Sequence, residues 1–133
     1  MFTYFTIASA NKILPIITDK FNKVLKQKDE VVKIEQELEA SLVTANAFES
    51  YVTLKQNLNS AVTKLYQTIE DLESIGVVIK SVDDGLLDFP SQRFNEEVWL
   101  CWKHGETEIK FWHEKDSGFS GRKPISVSNE SLV

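Results

Sequence analysis

The amino-acid sequence predicts an α+β fold, in which a long N-terminal antiparallel helical hairpin packs on a small antiparallel β-sheet of three to four strands. Two observations lead to this prediction. Residues 1–75 contain no glycine and one proline, and their apolar residues recur at helical spacing. All five glycines lie at or after Gly76, and every tryptophan lies between Phe89 and Phe119, where short apolar runs alternate with turn residues.

The first helix is predicted to begin after Thr6, whose hydroxyl can accept a hydrogen bond from the backbone amide of residue 8 or 9. Pro15 lies inside this helix, where its ring removes one backbone hydrogen bond. We expect a kink there rather than an end, because the apolar stripe continues in phase beyond it. The stripe consists of Ala10, Ile13, Leu14, Ile17, Phe21, Val24, Leu25, Val31, Ile34 and Leu38.

A second helix is predicted from about Ala45 to Ile75, and Gly76 then suits the left-handed conformation that ends many helices. The break between the helices stays open, because residues 41–44 contain neither Gly nor Pro. At 1.5 Å per residue, two helices of about 30 residues would each span about 45 Å. Such a hairpin exposes more apolar surface than a small sheet can cover, so we expect a homodimer joined through the helices.

The remaining chain is predicted to form short strands at 77–80, 86–89, 98–103 and 108–113. Pro90 is expected to end the second strand, because proline cannot donate to a sheet ladder. Gly105 and Glu106 suit a two-residue turn between the last two strands.

In that register Val98 faces His113 on an apolar face, and Trp99 faces Trp112 on the other face. Residues 114–124 are predicted to be a polar loop, because they show no strand pattern.

Length and composition indicate one domain over residues 1–133: the hairpin in 1–75, the sheet and polar loop in 76–125, and a frayed tail in 126–133.

The net charge of −5 argues against nucleic-acid binding, including base stacking on the tryptophans. One cysteine excludes an intrachain disulfide. The longest apolar stretch has five residues, and no signal peptide is evident, so we expect a cytoplasmic protein without membrane contact.

Several short motifs lie between Gly76 and Ile125: KSVDDGLLDFP from Lys80, LCWK from Leu100, Gly105-Glu106, WHE from Trp112, Asp116, Gly118-Phe119, Gly121-Arg122 and Pro124-Ile125. Together they resemble the signature of domain of unknown function 2203, a small prokaryotic family. Phe5-Thr6, Ala10-Asn11 and Leu14-Pro15 are similar to the opening helix of the family. The family has no established activity, so the resemblance implies domain boundaries and a prokaryotic source and assigns no chemistry.

His113 is the central candidate for a functional residue, because it ends a strand beside Glu114 and Asp116. Imidazole with carboxylates suits a divalent metal such as zinc, manganese or iron, or a general base with an orienting acid. The alternative is a structural histidine bonded to a backbone carbonyl or to one carboxylate.

Asp88 lies between two apolar strand residues and needs a partner, for which Arg122 and His113 are available. The candidate ligand-binding residues are therefore Asp88, His113, Asp116 and Arg122. The candidate metal ligands are His113, Asp88, Asp116 and, as the weakest member, Glu106, whose turn is expected at the other end of the strands. Cys101 is expected to be a small apolar filler rather than a nucleophile.

These observations favour a non-catalytic binding or regulatory module that self-associates and has a protein or small-molecule partner still to be identified. The alternative is a small, hydrolase-like, metal-dependent enzyme with a His and carboxylate site at the end of the sheet.

Overall fold

The computed structural model describes residues 4–43 and 48–125. Two long helices precede a five-stranded antiparallel sheet whose strands follow one another in the order β1 to β5, so the predicted α+β fold is confirmed. The helices are α1 (Ile7–Ser41) and α2 (Phe48–Glu73). The strands are β1 (Val78–Ser81), β2 (Leu86–Arg93), β3 (Glu96–Lys103), β4 (Phe111–Glu114) and β5 (Lys123–Pro124), with a short 3₁₀ helix at Phe119–Gly121.

The contacts divide the chain into two compact units. The sheet unit comprises Met1–Asp19 and Leu72–Val133, of which residues 4–19 and 72–125 are described, and the hairpin unit comprises Lys20–Asp71, of which residues 20–43 and 48–71 are described. The predicted frayed tail at 126–133 lies outside the described residues.

The start of α1 is anchored to the sheet. Thr6 caps the helix as predicted, since its hydroxyl accepts from the Ser9 amide at 3.0 Å and the Ser9 hydroxyl accepts from the Thr6 amide at 2.9 Å. Just before the cap, the Phe5 amide donates to the Pro90 carbonyl at 2.7 Å, and the Phe5 ring meets Phe89 edge to face. This segment therefore runs beside β2 before the helix begins.

β2 continues through Pro90 to Arg93, so the prediction that Pro90 ends the strand is wrong. β1 pairs only with residues 86–88, and the Phe5 segment takes the Pro90 carbonyl on that side. The missing N–H of Pro90 therefore deprives no neighbouring strand of a ladder bond. The hairpin to β3 closes at Phe94 and Asn95, both at positive φ (52° and 66°), as a type I′ turn requires.

The register of β3 and β4 differs from the prediction by one residue: Trp99 lies opposite His113 and Leu100 lies opposite Trp112. A shift of one residue moves side chains to the other face, so the predicted pairs of Val98 with His113 and Trp99 with Trp112 are wrong. The inner face of the sheet, which carries Phe89, instead buries Leu87, Leu100, Trp102 and Trp112.

The connection between β3 and β4 explains this shift, because it spans residues 104–110 rather than two. The Glu106 carboxylate accepts from the Lys103 amide at 2.6 Å, and the Glu106 carbonyl accepts from the Trp102 indole at 2.9 Å. Farther along, the Ile109 amide donates to the side-chain oxygen of Asn11 in α1 at 2.7 Å. These contacts stabilise the long connection, and β4 after it pairs with β3 one residue away from the predicted register.

The predicted polar loop after β4 contains an additional strand. In β5, Pro124 pairs with Phe111 and Lys123 pairs with Trp112, which raises the number of strands to five. A two-residue edge strand that contains proline has no periodicity for sequence analysis to detect.

The hairpin unit is antiparallel, because Lys20 near the start of its α1 portion forms an ion pair with Asp71 at the end of its α2 portion. Among its described residues, the buried apolar side chains all belong to α1: Phe21, Val24, Val31 and Ile34. Over the whole of Phe48–Gln67 in α2, no residue is buried. Within the described residues, neither helix has a stretch apolar enough and long enough to cross a membrane.

Candidate functional site

Three side chains with ligating or titratable groups meet on the outer face of the sheet, opposite Phe89. Asp88 of β2 lies directly across from Cys101 of β3, and His113 of β4 is a diagonal neighbour of Cys101 on the same side of the pleat. Their exposed fractions are 2%, 1% and 3%. One oxygen of Asp88, the Cys101 sulfur and one His113 nitrogen all lie within 4.8 Å of one another. Among residues 4–43 and 48–125, no other group of this kind occurs.

Two hydrogen bonds fix the imidazole of His113. Nδ1 lies 2.9 Å from the backbone carbonyl oxygen of Glu114, and Nε2 lies 2.9 Å from Oδ2 of Asp88. Since a carbonyl can only accept, Nδ1 carries a hydrogen. Nε2 therefore either accepts from a protonated Asp88 or donates to the carboxylate as part of an imidazolium, so the pair shares one proton.

The Asp88 carboxyl group is poorly solvated because it is buried. Burial raises the pKa of its carboxyl above the ordinary value, and the neighbouring His113 imidazole opposes that increase. Oδ2 has the imidazole as its partner, whereas Oδ1 is buried and has no hydrogen-bond partner. A buried carboxylate oxygen without a donor is unusual in a folded protein and marks a position where a ligand could bind.

Cys101 is buried and free, and its thiol is not activated. Burial and the nearby carboxylate of Asp88 raise the pKa of this thiol to about 12. The thiol therefore remains protonated at neutral pH, which argues against a role as a nucleophile.

A cavity of about 150 Å³ adjoins the three residues. The segment Ser117–Phe119 after β4 lines it together with Leu86 and with Lys80 of β1. The Lys80 ammonium lies 4.2 Å from the centroid of the Trp99 ring, which occupies the same outer face. The loop thus returns beside Asp88 and leaves a small, partly polar space over the cluster.

Arg122 and Glu106 form a separate pair. Nη2 of Arg122 donates to both carboxylate oxygens of Glu106, at 2.7 and 2.9 Å, and the guanidinium carbon lies 3.9 Å from the centroid of the Phe111 ring. The partners of the His113 ring are Glu114 and Asp88, and neither Arg122 nor Glu106 forms a hydrogen bond with it. Arg122 is bound to Glu106 rather than to Asp88, and the structure groups Glu106 with a cation rather than with metal ligands.

Asp116 lies elsewhere. It is exposed and lines a different cavity, of about 340 Å³, together with Arg93, Trp112 and Lys115. Of the residues proposed from the sequence, the structure therefore brings Asp88 and His113 together in this cluster, pairs Arg122 with Glu106, and leaves Asp116 apart from both pairs.

Sequence reasoning missed Cys101 as a member of this cluster. The predicted register placed Cys101 and His113 on opposite faces, and the observed one-residue shift unites them. Pairing β2 with β3 places Asp88 opposite Cys101, and this pairing could have revealed Cys101 as a member of the cluster. It follows from the sequence only if Phe94 and Asn95 are recognised as the turn between the two strands.

A family model described as "Uncharacterized conserved protein (DUF2203)" matches residues 3–125. The comparisons with curated proteins and with solved structures found no match. The matched residues include every motif that carried the resemblance in the sequence. The chain therefore belongs to the DUF2203 family of uncharacterised conserved proteins.

Proposed function

We propose that this protein is a non-catalytic binding module that self-associates as a homodimer through its helical hairpin. The observation that supports this proposal is the lack of any buried residue in Phe48–Gln67 of α2. Leu54, Leu58 and Leu65 recur there at helical spacing and are only half-buried. Full burial of a leucine side chain contributes about 1.5–3 kcal/mol, so covering this stripe would be strongly favourable.

The charge pattern of α1 favours a second copy of this chain as the partner. Residues 20–28 contain four lysines and no acidic residue, whereas residues 29–39 contain five acidic residues and one lysine. If two hairpins pair about a two-fold axis with their α1 helices antiparallel, the basic segment of one copy faces the acidic segment of the other. The hairpin is thus electrostatically complementary to itself.

The chemistry of the outer face supports a role without catalysis. The Cys101 thiol is protonated at neutral pH, and Nε2 of His113 is engaged by Asp88. The alternative, a hydrolase-like metal enzyme, relied also on Asp116 and Glu106, which lie apart from this pair. A cytoplasmic location and a prokaryotic source belong to the proposal as well, and the single cysteine is in keeping with a reducing compartment.

Sedimentation equilibrium of charge-swapped variants tests the proposal. We expect the wild type to have about twice the 15.2 kDa chain mass at micromolar concentration. The double variant Lys23→Glu/Lys26→Glu should dissociate more readily, because it places acidic residues against the acidic segment of the partner. Adding Glu35→Lys and Glu37→Lys should restore association, because the exchanged positions of the two segments then again carry opposite charges.

The matched control is Lys12→Glu/Lys110→Glu, which changes the net charge equally at exposed positions of the sheet unit. It should associate like the wild type. A wild type that is monomeric at these concentrations, or a fourfold variant that associates no better than the double variant, would contradict the proposal.

A further inference from the structure

We propose that the outer face of the sheet holds a Zn²⁺ site formed by Nε2 of His113, Sγ of Cys101 and the carboxylate of Asp88. The site goes beyond the proposed self-association and does not depend on it. The three ligand atoms already lie within 4.8 Å of one another on three adjacent strands. A site built on paired strands is held by the ladder rather than by a mobile loop.

The orientation of His113 suits a metal ligand. Its Nδ1 donates to the Glu114 carbonyl, which leaves Nε2 as the nitrogen that contacts Asp88. Metal-bound histidines usually donate their second ring N–H to a carbonyl or carboxylate in this way, because that bond fixes the tautomer and the ring orientation.

Asp88 supplies the second, independent observation. It is 2% exposed, and its Oδ1 has no hydrogen-bond partner although it is buried beside the cavity. A bound cation would compensate a carboxylate that the protein leaves incompletely solvated.

The three donor atoms also favour a particular class of ion. A sulfur, a nitrogen and an oxygen donor together select a borderline-soft ion such as Zn²⁺ over Mg²⁺ or Ca²⁺, which prefer oxygen ligands.

The nitrogen and oxygen ligands need to move only slightly. Two ligands at about 2.0 Å from a tetrahedral Zn²⁺ lie about 3.3 Å apart. The His113 nitrogen and the Asp88 oxygen are now 2.9 Å apart, so they need to separate by about 0.4 Å. The cavity of about 150 Å³ beside the cluster has room for a water as the fourth ligand.

Titration of chelator-treated protein with Co²⁺, followed by competition with Zn²⁺, tests the site. We expect a thiolate-to-cobalt charge-transfer band that saturates at one equivalent and disappears when Zn²⁺ is added. In Cys101→Ser the band should be absent, since no sulfur ligand remains. In His113→Gln, Zn²⁺ affinity should fall by more than about 100-fold, because loss of an outer-shell partner alone costs 10- to 100-fold.

His104→Ala is the matched control, because His104 is exposed and is the other histidine of the chain. It should bind like the wild type. Circular dichroism verifies that each variant is folded, and the near-isosteric Cys101→Ser keeps the test valid if His113→Gln unfolds. The absence of a charge-transfer band in the wild type, or a band that survives in Cys101→Ser, would overturn the proposal.

Discussion

The sheet unit and the hairpin unit bury their side chains very differently. In β2, every residue from Leu87 to Ser91 is buried, so both faces of this strand are shielded from solvent. In α2, the stretch Phe48–Gln67 has no buried residue. The comparison teaches that the sheet unit contains a fully buried core, whereas α2 of the hairpin unit carries an apolar stripe that is only half-buried.

The largest expected effect is the loss of stability when a large side chain of the sheet core is truncated. Trp102 is fully buried and its indole donates to the Glu106 carbonyl, so Trp102→Ala should lower the free energy of unfolding by about 3–5 kcal/mol. Leu58→Ala in the half-buried stripe should cost only about 1 kcal/mol. Urea denaturation measures both values. Equal losses for the two variants would remove the distinction between the units.

The reactivity of a cysteine thiol should also differ between the buried outer face of the sheet and the hairpin. A thiol pKa of about 12 makes the thiolate fraction of Cys101 about a thousandfold lower than that of an ordinary thiol at pH 8. Labelling of the folded, metal-free protein should therefore be slow and should accelerate as the pH rises. An Ala61→Cys reporter in Cys101→Ser protein should react much faster, because Ala61 is half-exposed on the hairpin. Rapid labelling of Cys101 in the folded chain would show that the outer face is open to solvent.

Arg122 and Lys123 are neighbours in the sheet unit, but Arg122 belongs to a half-buried ion pair and Lys123 to an exposed one. Arg122→Ala should destabilise the fold by about 1–3 kcal/mol, because it strands the Glu106 carboxylate, which is largely shielded from water. Lys123→Ala removes a partner of the exposed Glu114 and should have a much smaller effect, because solvent screens exposed ion pairs. The difference is measured by chemical denaturation of the two variants in parallel, and the reverse order would be incompatible with the packing described for Arg122.

The smallest effect concerns the exposed Lys20–Asp71 pair of the hairpin unit. The Lys20 ammonium lowers the pKa of Asp71, so this pair stabilises the fold above the ordinary carboxyl pKa and loses that contribution as the pH falls through the lowered value. In Lys20→Ala the pKa of Asp71 should return toward its ordinary value. Carbon-13 NMR titration of the carboxyl group measures this shift, and an unchanged pKa would show that the pair does not form in solution.

The helices could be predicted because their signals are local. The Thr6 cap and the position of Gly76, at a φ of 113° after α2, follow from residues within one helical turn. The apolar stripe of α1 likewise required no knowledge of distant residues.

The register of β3 and β4 could not be predicted, because contacts between residues far apart in sequence determine it. Asn11 binds the Ile109 amide and Arg122 binds Glu106, and both contacts hold the long connection that a two-residue turn would have replaced. Since the register decides which face carries His113, the one-residue difference separates Cys101 from His113 in the prediction. Asp116 entered the predicted site because it is close to His113 in the sequence, but its side chain lies at a different cavity.

Hydrogen exchange of backbone amides at two protein concentrations tests the comparison between the units most directly. We expect protection in residues 48–67 to increase with protein concentration, because a second copy covers that stretch in the proposed homodimer, and protection in β2 and β3 to stay constant. Protection of residues 48–67 that is independent of concentration over the range in which sedimentation reports a dimer would contradict the account.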